Sequence, residues 1–215
     1  MKKKAVILGA TGATGKDLVR LIVEDPYYEK IQLIARKELD IPFDHVSLIK
    51  TDFKSFDKIQ EKLSGDILFI CFGTTLNQAG SKEKQWRIDY EIPLKIAEIA
   101  RIKGFETVVL VSSTGANSNS KIFYSRMKGA LDDAILKLGF EKTIIFKPGA
   151  LIRKNSDRFL ENLGVSIINS LNQIGLFKKY KPLKTETLAL KMKEAPKYTE
   201  IGATFYELDE IHTLF

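Results

Sequence analysis

The chain has little of what several kinds of site require. It contains one cysteine, Cys71, and two histidines, His45 and His212, in 215 residues. A single cysteine excludes an intramolecular disulfide and fits a reducing compartment. It closes the apolar run Asp66–Phe72, where a buried structural thiol is the expected reading. The histidines stand far from any ligand-spaced partner, so no metal site is expected. No apolar run reaches the roughly 18 residues that cross a bilayer. The basic start Met1-Lys2-Lys3-Lys4 imitates a signal peptide, but the glycines from Gly9 to Gly15 interrupt the apolar stretch behind it. Repeats, low-complexity tracts and flexible linkers are absent from the sequence. From these absences we expect a cytoplasmic chain with no membrane partner.

The formal net charge is +7, which raises the question of nucleic acid. The lysines are scattered, however. The densest groups, Lys2-Lys3-Lys4 and Lys178-Lys179-Tyr180-Lys181, form neither a long basic helix nor a stripe interleaved with aromatics. No nucleic-acid partner is expected. A solvated basic surface with a few cations around phosphates accounts for the charge.

What is present begins at the N-terminus. The apolar run Lys4-Ala5-Val6-Ile7-Leu8 is followed at once by Gly9-Ala10-Thr11-Gly12-Ala13-Thr14-Gly15, and then by helical spacing from Lys16 to Ile22. Strand, glycine turn and helix start together form the phosphate cradle of a dinucleotide-binding fold. Gly9 permits a sharp turn, Gly12 a close approach to a pyrophosphate, and Gly15 tight packing of helix on strand. The helix N-terminus offers free N–H groups and partial positive charge to the phosphates.

Further along, apolar runs alternate with helical patterns. Strands are expected at Ala5–Leu8, Ile31–Ala35, Val46–Ile49, Ile67–Cys71, Thr107–Val111 and Thr143–Phe146. Helices are expected at Gly15–Glu24, Phe56–Leu63, Glu83–Lys103, where Pro93 introduces a kink, and Ile122–Leu138. This rhythm predicts an α/β fold, a Rossmann-type doubly wound parallel sheet covered on both faces. Residues 1–150 read as the cofactor-binding core of a single domain. Residues 151–215 read as a small substrate-side extension over the strand ends, with helical patterns at Ser156–Gln173 and Thr185–Ala195. A short strand at Ala203–Leu208 and a final helix complete it.

The second strand ends Ala35-Arg36-Lys37, where an acidic residue would bind the ribose of NAD. A guanidinium there can grip a 2′-phosphate with two charge-assisted bonds, which favours NADP. Glu38 and Asp40 remain within reach of a ribose. Asp52, after the third strand, is placed to meet the adenine edge or to act as a turn cap.

The fifth strand runs into Ser112-Ser113-Thr114-Gly115. Tyr124 and Lys128 follow at Y-x-x-x-K spacing, which puts phenol and ammonium one turn apart on one helix face. A free tyrosine has a pKa near 10, and a neighbouring ammonium favours its phenolate. A serine hydroxyl orienting a carbonyl or alcohol would complete a set suited to hydride transfer coupled to proton transfer.

At this point the chain resembles the short-chain dehydrogenase/reductase family, and within it the atypical branch that contains the Tat-interacting-protein oxidoreductase. The resemblance is carried by Gly9–Gly15, Cys71-Phe72-Gly73-Thr74-Thr75, Val111–Ala116, the Tyr124/Lys128 pair and Lys147–Leu151. It implies NADP bound along Thr11–Gly15, Arg36, Lys37 and Gly73–Thr75. It implies Tyr124 as proton donor or acceptor, Lys128 as the group that tunes it, and Ser113, with Ser112 as the alternative, as the serine that positions the substrate oxygen. Pro148–Leu151 would line the nicotinamide, with Arg153 near cofactor or substrate. The asparagine that supports a proton relay in many members has no counterpart beyond the nearby Asn77. The expected function is oxidation or reduction of a small-molecule carbonyl or alcohol. A non-catalytic NADP-bound redox sensor or protein-interaction module is the alternative, and an isomerase or epimerase with tightly held cofactor is a third. Trp86 and Tyr90, a turn apart, read as packing residues on a helix that leaves a homodimer or protein partner open.

Overall fold

The computed structural model describes residues 1–39, 42–152, 182–208 and 210–214. The N-terminal half alternates as expected: β1 (Lys3–Leu8), α1 (Ala13–Ile22), β2 (Tyr28–Ala35), β3 (Val46–Lys50), α2 (Asp57–Lys62) and β4 (Ile67–Ile70). Two short helices, α3 (Leu76–Ala79) and α4 (Lys82–Trp86), lead through a π-helical turn (Arg87–Glu91) into α5 (Ile92–Ile102). Then come β5 (Thr107–Val111), α6 (Phe123–Lys137), β6 (Lys142–Lys147) and the small strands β7 (Leu151–Ile152) and β8 (Leu183–Lys184). The chain closes with α7 (Thr185–Tyr198), β9 (Gly202–Glu207) and α8 (Glu210–Thr213).

Seven parallel strands form the main sheet in the order β3-β2-β1-β4-β5-β6-β9. Because side chains alternate across a strand, β1 splits its apolar run between two cores. Val6 and Leu8 join Ile96, Ile99, Leu131 and Ile135 of α5 and α6. Ala5 and Ile7 join Leu18 and Ile22 of α1 and Leu188 and Met192 of α7. Both faces are thus covered, the doubly wound Rossmann arrangement that a run of uninterrupted apolar strands implies.

Two details differ from the sequence expectation. The helix expected over Glu83–Lys103 contains Pro93 near the start of α5, directly after the π turn. Proline has no N–H to offer the carbonyl four residues back, and the wider turn absorbs the missing bond. The second concerns the C-terminal extension. Its described residues do not all sit over the strand ends. α7 packs on α1, where Thr185 Oγ1 donates to Asp17 Oδ2 at 2.7 Å and Arg20 pairs with Glu186. β9 is the outer strand of the main sheet. The helix expected at Ser156–Gln173 and the Lys178–Lys181 cluster lie outside the described residues.

Candidate functional site

The turn after β1 is shaped by its glycines. Gly9 has φ +92°, and a Cβ there would lie 2.7 Å from the Cys71 carbonyl group. A Cβ on Gly15 would overlap the Gly9 carbonyl oxygen, and one on Gly12 would stand 3.3 Å from it. Gly12 donates its N–H to that oxygen at 2.9 Å. Gly12 is also the N-cap of α1, in extended conformation, with no side-chain cap and no acidic residue in the first turn. Among the described residues, the N–H groups over Ala13, Thr14 and Gly15 have no partner outside the helix, which leaves them for an anion, and the close backbone leaves room for one. The residues fit a dinucleotide pyrophosphate on these grounds.

Strand order reverses between β1 and β4, and a groove of about 720 Å³ opens at their carboxyl ends. Gly9, Thr11, Gly12, Ala13, Arg36, Asp52, Gly73 and Thr74 line it. Thr14 is buried, Lys37 is exposed, and neither they nor Thr75 lines the groove. Thr75 instead caps α3, its side chain accepting from the Gln78 N–H at 3.3 Å. The Asp52 carboxylate accepts the Lys54 N–H at 2.9 Å, and that bond holds its pKa below the usual range. Phe53, between them, has φ 60°, a left-handed conformation unusual for a bulky residue, beside the groove. Lys54, Lys84 and Arg87 add cations to the lining that sequence reading did not single out. Arg87 is tied to the wall, donating to the Phe53 carbonyl at 3.2 Å. Cys71 lines the groove too; burial pushes its thiol up to about 12, although the residue as a whole is partly exposed.

The loop after β4 is clamped from the π segment. Thr74 donates its N–H to Asp89 Oδ1 at 2.7 Å, and its carbonyl accepts from Gln85 Nε2 at 3.1 Å. Both clamping side chains are buried. A Cβ on Gly73 would lie 3.3 Å from Asp89 Oδ2 and 3.7 Å from Lys128 Nζ, so the glycine makes room for a carboxylate and an ammonium at the groove wall. Burial pushes Asp89 up to about 6, against the pull of Lys128 and of the Thr74 N–H. Asp89 thus stands near Lys128 behind Gly73, a carboxylate that sequence reading did not single out. The available signal was spacing: Gln85, Asp89, Ile92 and Ile96 recur on one helical stripe, two polar residues on a buried face.

Lys128 is 5 % exposed and Tyr124, one turn earlier, 43 %. The loop from β5 rests on α6 at Gly129, where a Cβ would overlap the backbone of Asn117 and Ser118. Ser125 Oγ donates to the Gly115 carbonyl in the same contact. This fixes the loop bearing Ser112 and Ser113 beside the helix bearing Tyr124 and Lys128. Ser113 Oγ donates to the Thr114 carbonyl at 3.2 Å, while Ser112 is buried. Pro148 accepts the Thr114 N–H at 2.9 Å, and Leu151 begins β7; neither lines the groove. Arg153 lies outside the described residues.

Comparison with known proteins adds the family. FMP52-1, mitochondrial, of Scheffersomyces stipitis is 32 % identical over 221 residues, covering 98 % of each chain. FMP52, mitochondrial, of Candida glabrata is 39 % identical over 156 residues, 73 % of this chain and 67 % of that one. The chain belongs to the FMP52 family. Residues 4–86 also match the family described as semialdehyde dehydrogenase, NAD binding domain. Among solved structures, the Bordetella bronchiseptica enzyme WbmH in complex with NAD+ superposes with TM-score 0.72 at 12 % identity, over 96 % of this chain and 76 % of that one. Helicobacter pylori ADP-L-glycero-D-manno-heptose-6-epimerase does so with TM-score 0.69 at 18 % identity, over 98 % and 80 %. Those likenesses establish the Rossmann-type fold, and the matched domain supports binding of a nicotinamide dinucleotide. The relatives correct one expectation. They are named mitochondrial, which overturns the cytoplasmic reading. A lone cysteine reports on redox chemistry and not on an address, and that is why the sequence misled.

Proposed function

We propose that this chain is an NADP-dependent oxidoreductase acting on a small carbonyl or alcohol, in the manner of the atypical short-chain dehydrogenase/reductases. One observation carries the reading: the buried Lys128 ammonium lies behind Gly73, 3.7 Å from where its Cβ would be, and Gly73 lines the groove that the glycine cradle opens, although Lys128, Tyr124 and Ser113 do not themselves line it. The cofactor, when bound, supplies or takes the hydride. Lys128 holds the nicotinamide ribose, Tyr124 one turn earlier exchanges the proton, and Ser113 positions the substrate oxygen. Choice of NADP is supported by Arg36 and Lys54 in the lining and by Asp52 being engaged with the Lys54 backbone.

The test is single-turnover oxidation of bound NADPH across a panel of small aldehydes and ketones, with Tyr124→Phe as control. The substitution is expected to slow hydride transfer about 100-fold or more while NADPH affinity stays within about twofold. Unchanged turnover in Tyr124→Phe would remove the tyrosine from the chemistry. A second reading, a cofactor-binding module without turnover, draws support from the exposure of Tyr124 and from the Ser113 hydroxyl bonding to its own loop. Tight NADPH binding with no turnover across the panel would favour it.

A further inference from the structure

Helix α6 carries a second buried carboxylate beyond the groove wall. Asp132 stands one turn after Lys128, on the same helix face. It is 3 % exposed, and among the described residues neither of its oxygens makes a hydrogen bond; nor does the buried Ser112 hydroxyl. Its surroundings are charged. Lys147 Nζ, at the end of β6, lies 3.5 Å from Asp132 Oδ2 and 3.6 Å from Glu207 Oε1 on β9. Toward the groove, Lys128 shares the space at Gly73 with Asp89. The charges therefore alternate in sign along Asp89, Lys128, Asp132, Lys147 and Glu207, from the groove wall to the outer strand. Burial pushes the Asp132 carboxyl up, while the nearby Ser112 hydroxyl and the Lys147 and Lys128 ammoniums draw it down.

A buried carboxylate held mainly by one ammonium, Lys147 at 3.5 Å, is costly, and its neighbours on the buried stripe of α6 are Met127, Leu131 and Ile135. An apolar residue would pack there at less cost, so the acid needs another reason. We propose that Asp132 is a positioning residue for the cofactor site: with Asp89 it brackets the Lys128 ammonium and keeps it at the groove beside Gly73. The attraction of Asp132 offsets that of Asp89, so the ammonium is drawn fully to neither and stays available to a hydroxyl. This rests on the reading of Lys128 as the group that holds the nicotinamide ribose.

The test compares two ligands of the full chain. NADPH contains that ribose, and 2′,5′-ADP does not. Asp132→Asn is expected to weaken NADPH about tenfold and to leave 2′,5′-ADP within about twofold, with Asp132→Glu restoring most of the loss. A parallel loss of both ligands, or no loss of either, overturns the proposal. Should Asp132→Asn fail to fold, Lys128→Met covers the case, read by carboxyl 13C NMR of the ligand-free protein. The Asp132 titration is expected to move to higher pH once the ammonium is gone, and an unmoved titration overturns the proposal equally. Failure of the unaltered chain to bind NADPH at all would instead remove the cofactor reading itself.

Discussion

The two ends of the groove are built by different means. At the cradle, Gly9, Gly12 and Gly15 bring backbone so close that nearly every contact is between main-chain atoms, and no side-chain charge caps α1. Behind Gly73 and Thr74 at the other end, Asp89, Lys128 and Asp132 are charged side chains set inside the protein. The cradle gains its affinity for anions from fixed dipoles, at little cost in stability. The charged end keeps ions in a place where burial disfavours them, a cost that proteins commonly carry at sites. Substitutions should therefore behave oppositely at the two ends: lost space at the cradle harms fold and binding together, whereas lost charge at the far end helps the fold.

The largest expected effect is at Gly15. Its Cβ would overlap the Gly9 carbonyl, a backbone atom that cannot swing aside. Gly15→Ala is expected to lower stability by about 1–3 kcal/mol, seen in urea unfolding, and to abolish measurable NADPH binding. Normal binding in a stable Gly15→Ala protein would break the claim that backbone proximity makes the cradle.

The next effect has the other sign. Burial raises Asp89 from 3.8 to about 6, so the native state holds this proton more tightly than the unfolded chain does. Stability from this group is therefore greatest below about pH 4 and declines as pH rises through about 6, by roughly 3 kcal/mol in all. Asp89→Asn keeps an acceptor for the Thr74 N–H and removes the ionisation. It is expected to be more stable than the unaltered chain at pH 8, by about 1–2 kcal/mol, and to lose that advantage below pH 4. Thermal unfolding across pH 4 to 8 checks it. A less stable Asp89→Asn at pH 8 would mean that the charge itself supports the fold, and the contrast between the two ends would fail.

The same contrast explains what could be read from the chain. The cradle was legible because glycine spacing after an apolar run reports backbone geometry directly. The strands were legible as continuous apolar runs, and Thr107–Val111 needed no adjustment. β2 begins earlier than the apolar run suggests, at Tyr28, because that ring is buried and its hydroxyl donates to the Lys193 carbonyl on α7 at 2.6 Å, a contact between distant residues. The membership of β9 in the main sheet was hidden for the same reason: its pairing with β6 is a matter of tertiary structure, and its residues are mostly exposed. Asp89 and Asp132 were hidden more deeply. A charged residue reads as solvated by default, and only the tertiary structure shows Asp89 brought toward Lys128 and Asp132 toward Lys147. Y-x-x-x-K spacing named Tyr124 and Lys128 but says nothing of what surrounds them.

The smallest expected effect also concerns the account's central claim, that the groove is a phosphate-reading dinucleotide site. Nucleotide-stripped protein titrated in parallel with NADPH and NADH, read by nicotinamide fluorescence, tests it most directly. Binding of both is expected, NADPH at least about fivefold tighter, with Arg36→Asp closing most of that gap through loss of the bidentate grip on the 2′-phosphate. Equal affinities in the unaltered chain, or binding of neither, would contradict it.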